Sequence, residues 1–253
     1  MSTATSWHVD NNLARLHFGR LAAQVNLLEP ASGLHQLCAD AQTLFDCQIL
    51  RVDVPPVAAA ALSRNDYFLR GGDLAVSYGD RPERAMRTQI YWRAAPGQSA
   101  GVIATIELLI SVETSLLDSC PRISTSSRLS SGRVFRIAAT SDVASPDIAD
   151  DRASAIDPAA PVGHVFQFEN GGAKFSYAEM VHPDDARSTQ VLMPDGGSGR
   201  PAELRHELFA ERLEKGVILR ARVLGVLLER TDDARHAAGV FTDFLRAELP
   251  LTT

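Results

Sequence analysis

Residues 213–233, LEKGVILRARVLGVLLERTDD, have the composition of an amphipathic helix, a membrane piece or a strand. Periodicity separates the three. From Val217 the odd positions are Val217, Leu219, Ala221, Val223, Gly225 and Leu227, all apolar or small. The even positions mix Ile218, Arg220, Arg222, Leu224, Val226 and Leu228. One uniformly apolar face over this length has a period of two. A helix would hold Gly216 and Gly225 in its interior at roughly 1 kcal/mol each relative to Ala. It would also spread Arg220 and Arg222 around an apolar cylinder. The stretch reads as a strand, entered through the turn residues Glu214, Lys215 and Gly216.

The preceding segment alternates as well. Glu203, Arg205, Glu207 and Glu211 fall on one face, and Leu204, Leu208 and Ala210 on the other. The two segments read as one β-hairpin with arms on the order of 35–40 Å. In that arrangement Arg220 and Arg222 pair with Glu207 or Glu211 across the strands, or else line the floor of a site. Farther back, Val102, Ala104, Ile106, Leu108, Ile110 and Val112 alternate with Ile103, Thr105, Glu107, Leu109, Ser111 and Glu113. Shorter strand signals lie at residues 13–18, 21–28, 48–54, 73–78, 86–93, 133–138, 164–168 and 174–181. They are bounded by turn chemistry such as Asn170-Gly171-Gly172 and Asp195-Gly196-Gly197.

Many strands at short spacing, with no helical pattern between them, predict antiparallel sheets. The expected fold is all-β, a large antiparallel β-sandwich forming one domain over residues 1–253. One C-terminal helix is expected near 232–249, with Thr231 as its cap and Asp232 and Asp233 at its positive end. Ala237, Val240, Phe241, Phe244 and Leu245 form its apolar stripe. The Ser-rich residues 119–132 and the Ala-, Asp- and Pro-rich residues 138–163 read as long surface loops.

A net charge of −6 speaks against a general nucleic-acid partner. The odd set Cys38, Cys47 and Cys120 has no CxxC spacing and reads as reduced thiols. No signal-peptide pattern opens the chain, and no run approaches the roughly 18–20 apolar residues of a membrane helix. The expected location is therefore the cytoplasm, with no membrane partner. No nucleotide loop, metal box or nucleophile motif is present, so no cofactor and no metal are expected. A homo-oligomer is left open.

Two clusters carry candidate chemistry. Residues 179–187, EMVHPDDAR, place His182 beside carboxylates, a combination suited to general acid–base work or to metal binding. Asp184 and Asp185 are neighbours that point apart in extended chain, so a strand end followed by a turn reads better. In residues 86–93, MRTQIYWR, a strand puts Arg87, Gln89, Tyr91 and Arg93 on one face and Met86, Thr88, Ile90 and Trp92 on the other. The first face is either solvated or lines a site in which guanidinium and aromatic groups meet a ligand. Glu107 and Glu113 pose the same choice on the strand at 102–113.

Three features together resemble a known plan. They are the opening Trp7-His8-Val9, the early paired strands in LARLHFGRLAAQVNLLEPASGLHQL (residues 13–37) and the long late strands. The arrangement resembles the galactose-mutarotase-like supersandwich superfamily, whose members include aldose epimerases and the β-domains of some glycoside hydrolases and polysaccharide lyases. The resemblance implies a carbohydrate as ligand, and it carries no catalytic residue onto a position of this chain. Three functions follow as expectations. The first is binding of a carbohydrate or acidic small molecule on a concave sheet face through Arg87, Tyr91, Arg93, Arg220 and Arg222. The second is a sugar-active enzyme of the epimerase or lyase type, pairing His182 with Glu107 or Glu211. The third is a structural or assembly protein without small-molecule chemistry.

Overall fold

Apolar residues at alternate positions give extended segments with one dry face. A computed structural model describes residues 6–54, 64–79, 86–138, 148–150, 162–168, 174–193, 201–209 and 211–247. In it these segments pair into three antiparallel sheets. The first five strands, β1 (Ser6–Asp10), β2 (Leu13–Phe18), β3 (Leu21–Asn26), β4 (His35–Ala39) and β5 (Gln42–Thr43), form an N-terminal meander in chain order. Next come β6 (Cys47–Asp53), β7 (Arg64–Arg70), β8 (Asp73–Tyr78), β9 (Met86–Pro96), β10 (Val102–Thr114) and β11 (Ile123–Leu129). They are followed by β12 (Ser131–Ala138), β13 (Ile148–Asp150), β14 (Val162–Phe168), β15 (Phe175–Val181) and β16 (Ala186–Leu192). Strands β17 (Ala202–Leu208) and β18 (Ile218–Glu229) and helix α1 (Asp233–Arg246) complete the described chain. A nine-stranded sheet runs β13-β12-β14-β15-β18-β10-β9-β8-β7, and a four-stranded sheet runs β16-β17-β11-β6.

The fold is an all-β sandwich. The dry face of the nine-stranded sheet carries Leu108, Ile110, Ile90, Trp92, Ala221 and Val223. It packs in one core with Leu16 and Val25 of the meander and with Ile49, Val52 and Leu204 of the four-stranded sheet. Leu34 and Ile49 exchange backbone hydrogen bonds of 2.8 and 2.9 Å, joining the two smaller sheets into one opposing layer. Trp7 Nε1 donates to Gly72 O at 2.9 Å and Tyr78 OH to Leu27 O at 2.9 Å, so the meander is also pinned to the large sheet. On the other face of that sheet, α1 lays Ala237, Phe241 and Phe244 over Phe135, Val165, Met180, Leu224 and Val226 in a second, smaller core.

The period-two reading of β18 holds, and its partner is the first correction. β17 pairs with β11 and β16 in the four-stranded sheet, whereas β18 lies between β15 and β10 in the nine-stranded one. They belong to opposite layers and form no hairpin. Glu203, Arg205 and Glu207 alternate because they coat the solvent side of the small sheet. The turn at Glu214–Gly216 exists, with Gly216 at φ 86°, and it carries the chain between layers. Arg220 consequently faces Ser111 and Arg222 faces Leu109 across β10, and neither is paired in register with Glu207 or Glu211.

The second correction concerns residues 119–132. Ile123–Leu129 is β11, an interior strand whose Thr125, Ser126 and Ser127 are buried. A serine-rich run is compatible with a buried strand when partners satisfy its hydroxyls. Ser127 Oγ, for example, accepts the Leu50 N–H at 2.9 Å where β6 bulges. Of residues 138–163, most lie outside the described residues, as do 170–172 and 195–197, and Ile148–Asp150 forms β13. The helix begins at Asp233, with Asp232 rather than Thr231 at the cap position, in a left-handed conformation. Asp233 anchors that end, accepting hydrogen bonds from Ser176 Oγ (2.6 Å), Gln167 Nε2 (2.9 Å) and the Ala234 N–H (2.8 Å).

Candidate functional site

The helix covers only part of the large sheet's outer face. On the uncovered part, alternation and register build rows of side chains that cross strands. One row runs Arg222, Leu109, Tyr91, Ala75 and Phe68 from β18 to β7. On one side of it lies Leu224, Glu107, Arg93, Asp73 and Arg70, and on the other Arg220, Ser111, Gln89 and Ser77. Four of the five arginine and tyrosine candidates, Tyr91, Arg93, Arg220 and Arg222, thus fall within three adjacent rows. Arg87 follows one row farther, opposite Glu113.

Most charges on this face are interlocked. Arg93 donates from Nε to Asp73 Oδ1 at 3.0 Å and from Nη1 to Glu107 Oε2 at 3.3 Å, bridging the strands on either side of β9. Arg87 Nη1 donates to Glu113 at 3.2 Å. Tyr91 OH donates to Gln89 Oε1 at 2.8 Å, and Gln89 Nε2 donates to Ser77 Oγ at 3.2 Å. The Phe68 ring meets the edge of Tyr91 at 5.9 Å between centroids. Each of these side chains is thereby held in one geometry by a partner on the same face.

Where the rows meet the edge of the helix lies a cleft of about 370 Å³. Arg93, Thr105 and Glu107 line it from the sheet, and Val240, Asp243 and Phe244 from α1. Burial pushes the Glu107 carboxyl above the usual carboxylate range, and the charges of Arg93 and Arg222 only partly oppose this. The helix wall is held by Arg222, which is 3% exposed. Its guanidinium lies 5.1 Å over the Phe244 ring and donates to Ala247 O at 3.2 Å. Arg222 therefore positions the wall, and the expectation that it contacts ligand from an open face changes accordingly. Arg87, with Gln89, Ser111 and Glu113, borders a separate cavity of about 190 Å³ toward Ile218.

The other sequence-stretch candidates scatter. His182 packs its ring edge-on to Phe244 at 6.5 Å and accepts the Asp184 N–H at Nδ1, so it reaches the cleft only through Phe244. Asp185 turns inward to accept the Arg222 backbone N–H at 2.9 Å, where β15 has ended. Glu211 pairs with Arg187 on the surface. Among the described residues no group of three His, Cys, Asp or Glu side chains could hold a metal ion.

Among the described residues, sequence reasoning missed the closest histidine–carboxylate pair. Glu179 projects into the sandwich, fully buried, where it accepts hydrogen bonds from Ser127 Oγ and from Tyr177 OH (2.5 Å). His206 Nε2 of β17 stands 3.2 Å from Glu179 Oε1, and its Nδ1 is 2.8 Å from Thr189 Oγ1. Burial and the Glu179 carboxylate push the Tyr177 phenol well above its usual range. Gly225 opposes Glu179 across the sheet, and a Cβ there would meet Tyr177 Oη at 2.6 Å. The glycine that argued against a helix thus makes room for this network. With every member enclosed between two layers, the network ties the sheets together and offers no surface to a ligand. The signal in the sequence was Glu179 at an inward position of β15, but its partners come from strands far away in the chain.

No family model and no curated protein matches the sequence. Solved structures do match by fold. A candidate aldose 1-epimerase from Escherichia coli K12 aligns at a TM-score of 0.53 and 9% identity, covering 89% of this chain and 99% of that one. The Slr1438 protein from Synechocystis sp. PCC 6803 aligns at 0.52 and 6% identity, covering 89% and 96%. A candidate aldose 1-epimerase from Klebsiella pneumoniae aligns at 0.51 and 8% identity, covering 92% and 83%. At such identities the likeness is one of fold, and the chain's structural neighbours are aldose 1-epimerase-like proteins.

Proposed function

We propose that the protein binds a carbohydrate in the cleft between the uncovered rows of the nine-stranded sheet and α1. The observation that carries this reading is the Asp73–Arg93–Glu107 chain of ion pairs, of which Arg93 and Glu107 line the cleft, with Tyr91 in the neighbouring row. Planar charged groups held by one another present donors and acceptors at fixed spacing, which suits vicinal hydroxyls. Half-buried Tyr91 in the neighbouring row offers an aromatic face for the C–H side of a sugar. Because Arg93 is already matched by two carboxylates, the cleft favours a neutral sugar over an acidic one. The fold neighbours described as aldose 1-epimerases add support for a sugar as ligand.

A thermal-shift series with neutral mono- and oligosaccharides and with uronic acids tests the reading, since a ligand bound only by the folded state raises the melting temperature. The expected outcome is a shift with at least one neutral sugar, lost in Tyr91→Ala and Arg93→Gln. No shift with any sugar at millimolar concentration, or a shift indifferent to both substitutions, sinks it. A sugar-active enzyme is the second reading, favoured by the raised proton affinity of Glu107, which suits a general acid. Polarimetry on freshly dissolved galactose and glucose separates the two, because the binding reading expects no accelerated mutarotation.

A further inference from the structure

The four-stranded sheet has a solvent face of its own, on the opposite side of the sandwich from the cleft. Register sets out its rows: Ser188, Glu207, Ser124 and Asp53, then Gln190, Arg205, Ser126 and Arg51, then Leu192, Glu203, Arg128 and Gln48. Over the first two rows lies a groove of about 420 Å³, with Arg122 on its wall. That volume is within the range of small-ligand sites. We propose that this groove is a second binding site, separate from the cleft, for an oxyanion carried on a polyhydroxyl body, a uronate being the simplest example.

The floor is ordered by a relay of donors. Arg205 Nη2 donates to Ser124 Oγ at 2.9 Å, and Ser124 Oγ donates to Asp53 Oδ2 at 3.2 Å. Ser188 Oγ donates to Glu207 at 3.3 Å. This leaves a row of hydroxyl and carboxylate oxygens, from Ser188 to Asp53, along the groove floor, suited to ligand hydroxyls. Guanidinium groups stand on either side of that row, Arg205 in the next row and Arg122 two residues before Ser124. Both Arg122 and Arg205 are exposed there, and a planar fork of N–H donors matches a carboxylate or sulfate in a bidentate fashion. Behind them, Arg51 donates to Ala31 O at 2.7 Å and to Ser126 Oγ at 3.0 Å, and Arg128 donates to Glu203 at 2.9 Å. Burial first, then the charge of Arg128, holds Arg51 below the usual arginine range despite Asp53 and Glu203. Across the three rows and the groove wall, Arg51, Arg122, Arg128 and Arg205 stand against Asp53, Glu203 and Glu207, in a chain of net charge −6. Exposed forks at Arg122 and Arg205 suit a small oxyanion, whereas the acidic chain as a whole repels a polyanion such as nucleic acid.

Isothermal titration of glucuronate and of glucose into wild-type protein, Arg122→Gln/Arg205→Gln and Arg93→Gln tests the assignment. Glucuronate is expected to bind wild type and Arg93→Gln equally and the double variant at least tenfold more weakly. The melting temperature of the double variant should stay near wild type, because both side chains are exposed. Glucose is expected to be at least tenfold weaker than glucuronate at this site. No glucuronate binding, glucuronate binding unchanged in the double variant, or equal affinity for glucose at the groove each overturns the proposal. Failure of the cleft reading registers differently, as glucose binding that Arg93→Gln does not alter.

Discussion

The outer face of the nine-stranded sheet is two surfaces on one backbone. Under α1 it is apolar, with Met180, Leu224 and Val226 against Phe241, whereas beyond the helix it is a lattice of Arg93, Glu107, Asp73, Arg87 and Glu113. Strand β18 crosses from one to the other, and its outward residues change from Leu228, Val226 and Leu224 to Arg222 and Arg220 at the helix boundary. The pleat and hydrogen bonding are common to both. What differs is whether another element takes the face out of water, and that alone decides whether burial or exposed pairing is favourable.

The largest effect should come from the covered half. Phe241→Ala empties a fully buried site beneath the helix and is expected to cost about 3–5 kcal/mol in denaturant unfolding. A loss below about 1 kcal/mol would mean that the helix is not what keeps this half dry. At the boundary, Arg222→Met keeps the aliphatic stem and removes the guanidinium that meets Phe244 and Ala247. It is expected to cost about 1–3 kcal/mol and to weaken sugar binding in the cleft by letting its wall move. Stability loss with unchanged binding would show that the two halves are energetically separate.

The smallest effect belongs to the open half. Glu107→Gln should change stability by no more than about 1 kcal/mol, as for other partly solvated pairs. Because burial raises the Glu107 proton affinity, the protonated side chain favours the folded state. That contribution is fully present below the ordinary glutamate value of 4.5 and fades as pH rises through the higher folded value. Wild type should therefore lose ground to the variant as pH rises above about 4.5, measured as the difference between their unfolding midpoints. An opposite slope would make the Arg93 pairing dominant over burial.

How much of this was legible depended on whether the determining contact is local. The alternation of β18, β10 and β9 is a property of neighbouring residues, so the faces shared by Arg87, Tyr91 and Arg93 and by Arg220 and Arg222 could be read directly. Strand partnership is non-local. Glu214-Lys215-Gly216 carries a genuine turn signal, yet nothing in it records that the strands on its two sides belong to different layers. The serines of β11 misled because serine is common in loops, and only their buried partners reveal a strand. Of the candidate site, Arg93 and Glu107 were visible one by one. Their junction through Asp73, and the wall supplied by Phe244, needed the sheet order and the helix position.

The place of β18 bears on how the chain is made. It is inserted between β10 and β15, both of which precede it, and its longest pairing is with β10, which ends at Thr114. A nascent chain emerging from the ribosome thus carries β10 with one edge unsatisfied until Glu229 has been added. The 115 residues from Thr114 to Glu229 (229 − 114) take on the order of 6–23 s at typical synthesis rates of about 5–20 residues per second. During that interval, a long strand rich in Ile, Leu and Val exposes a row of unpaired amides and carbonyls, a template for the wrong partner. Glu107 and Glu113, along with their role on the finished surface, place negative charge on that waiting edge strand and disfavour its pairing with another copy of itself.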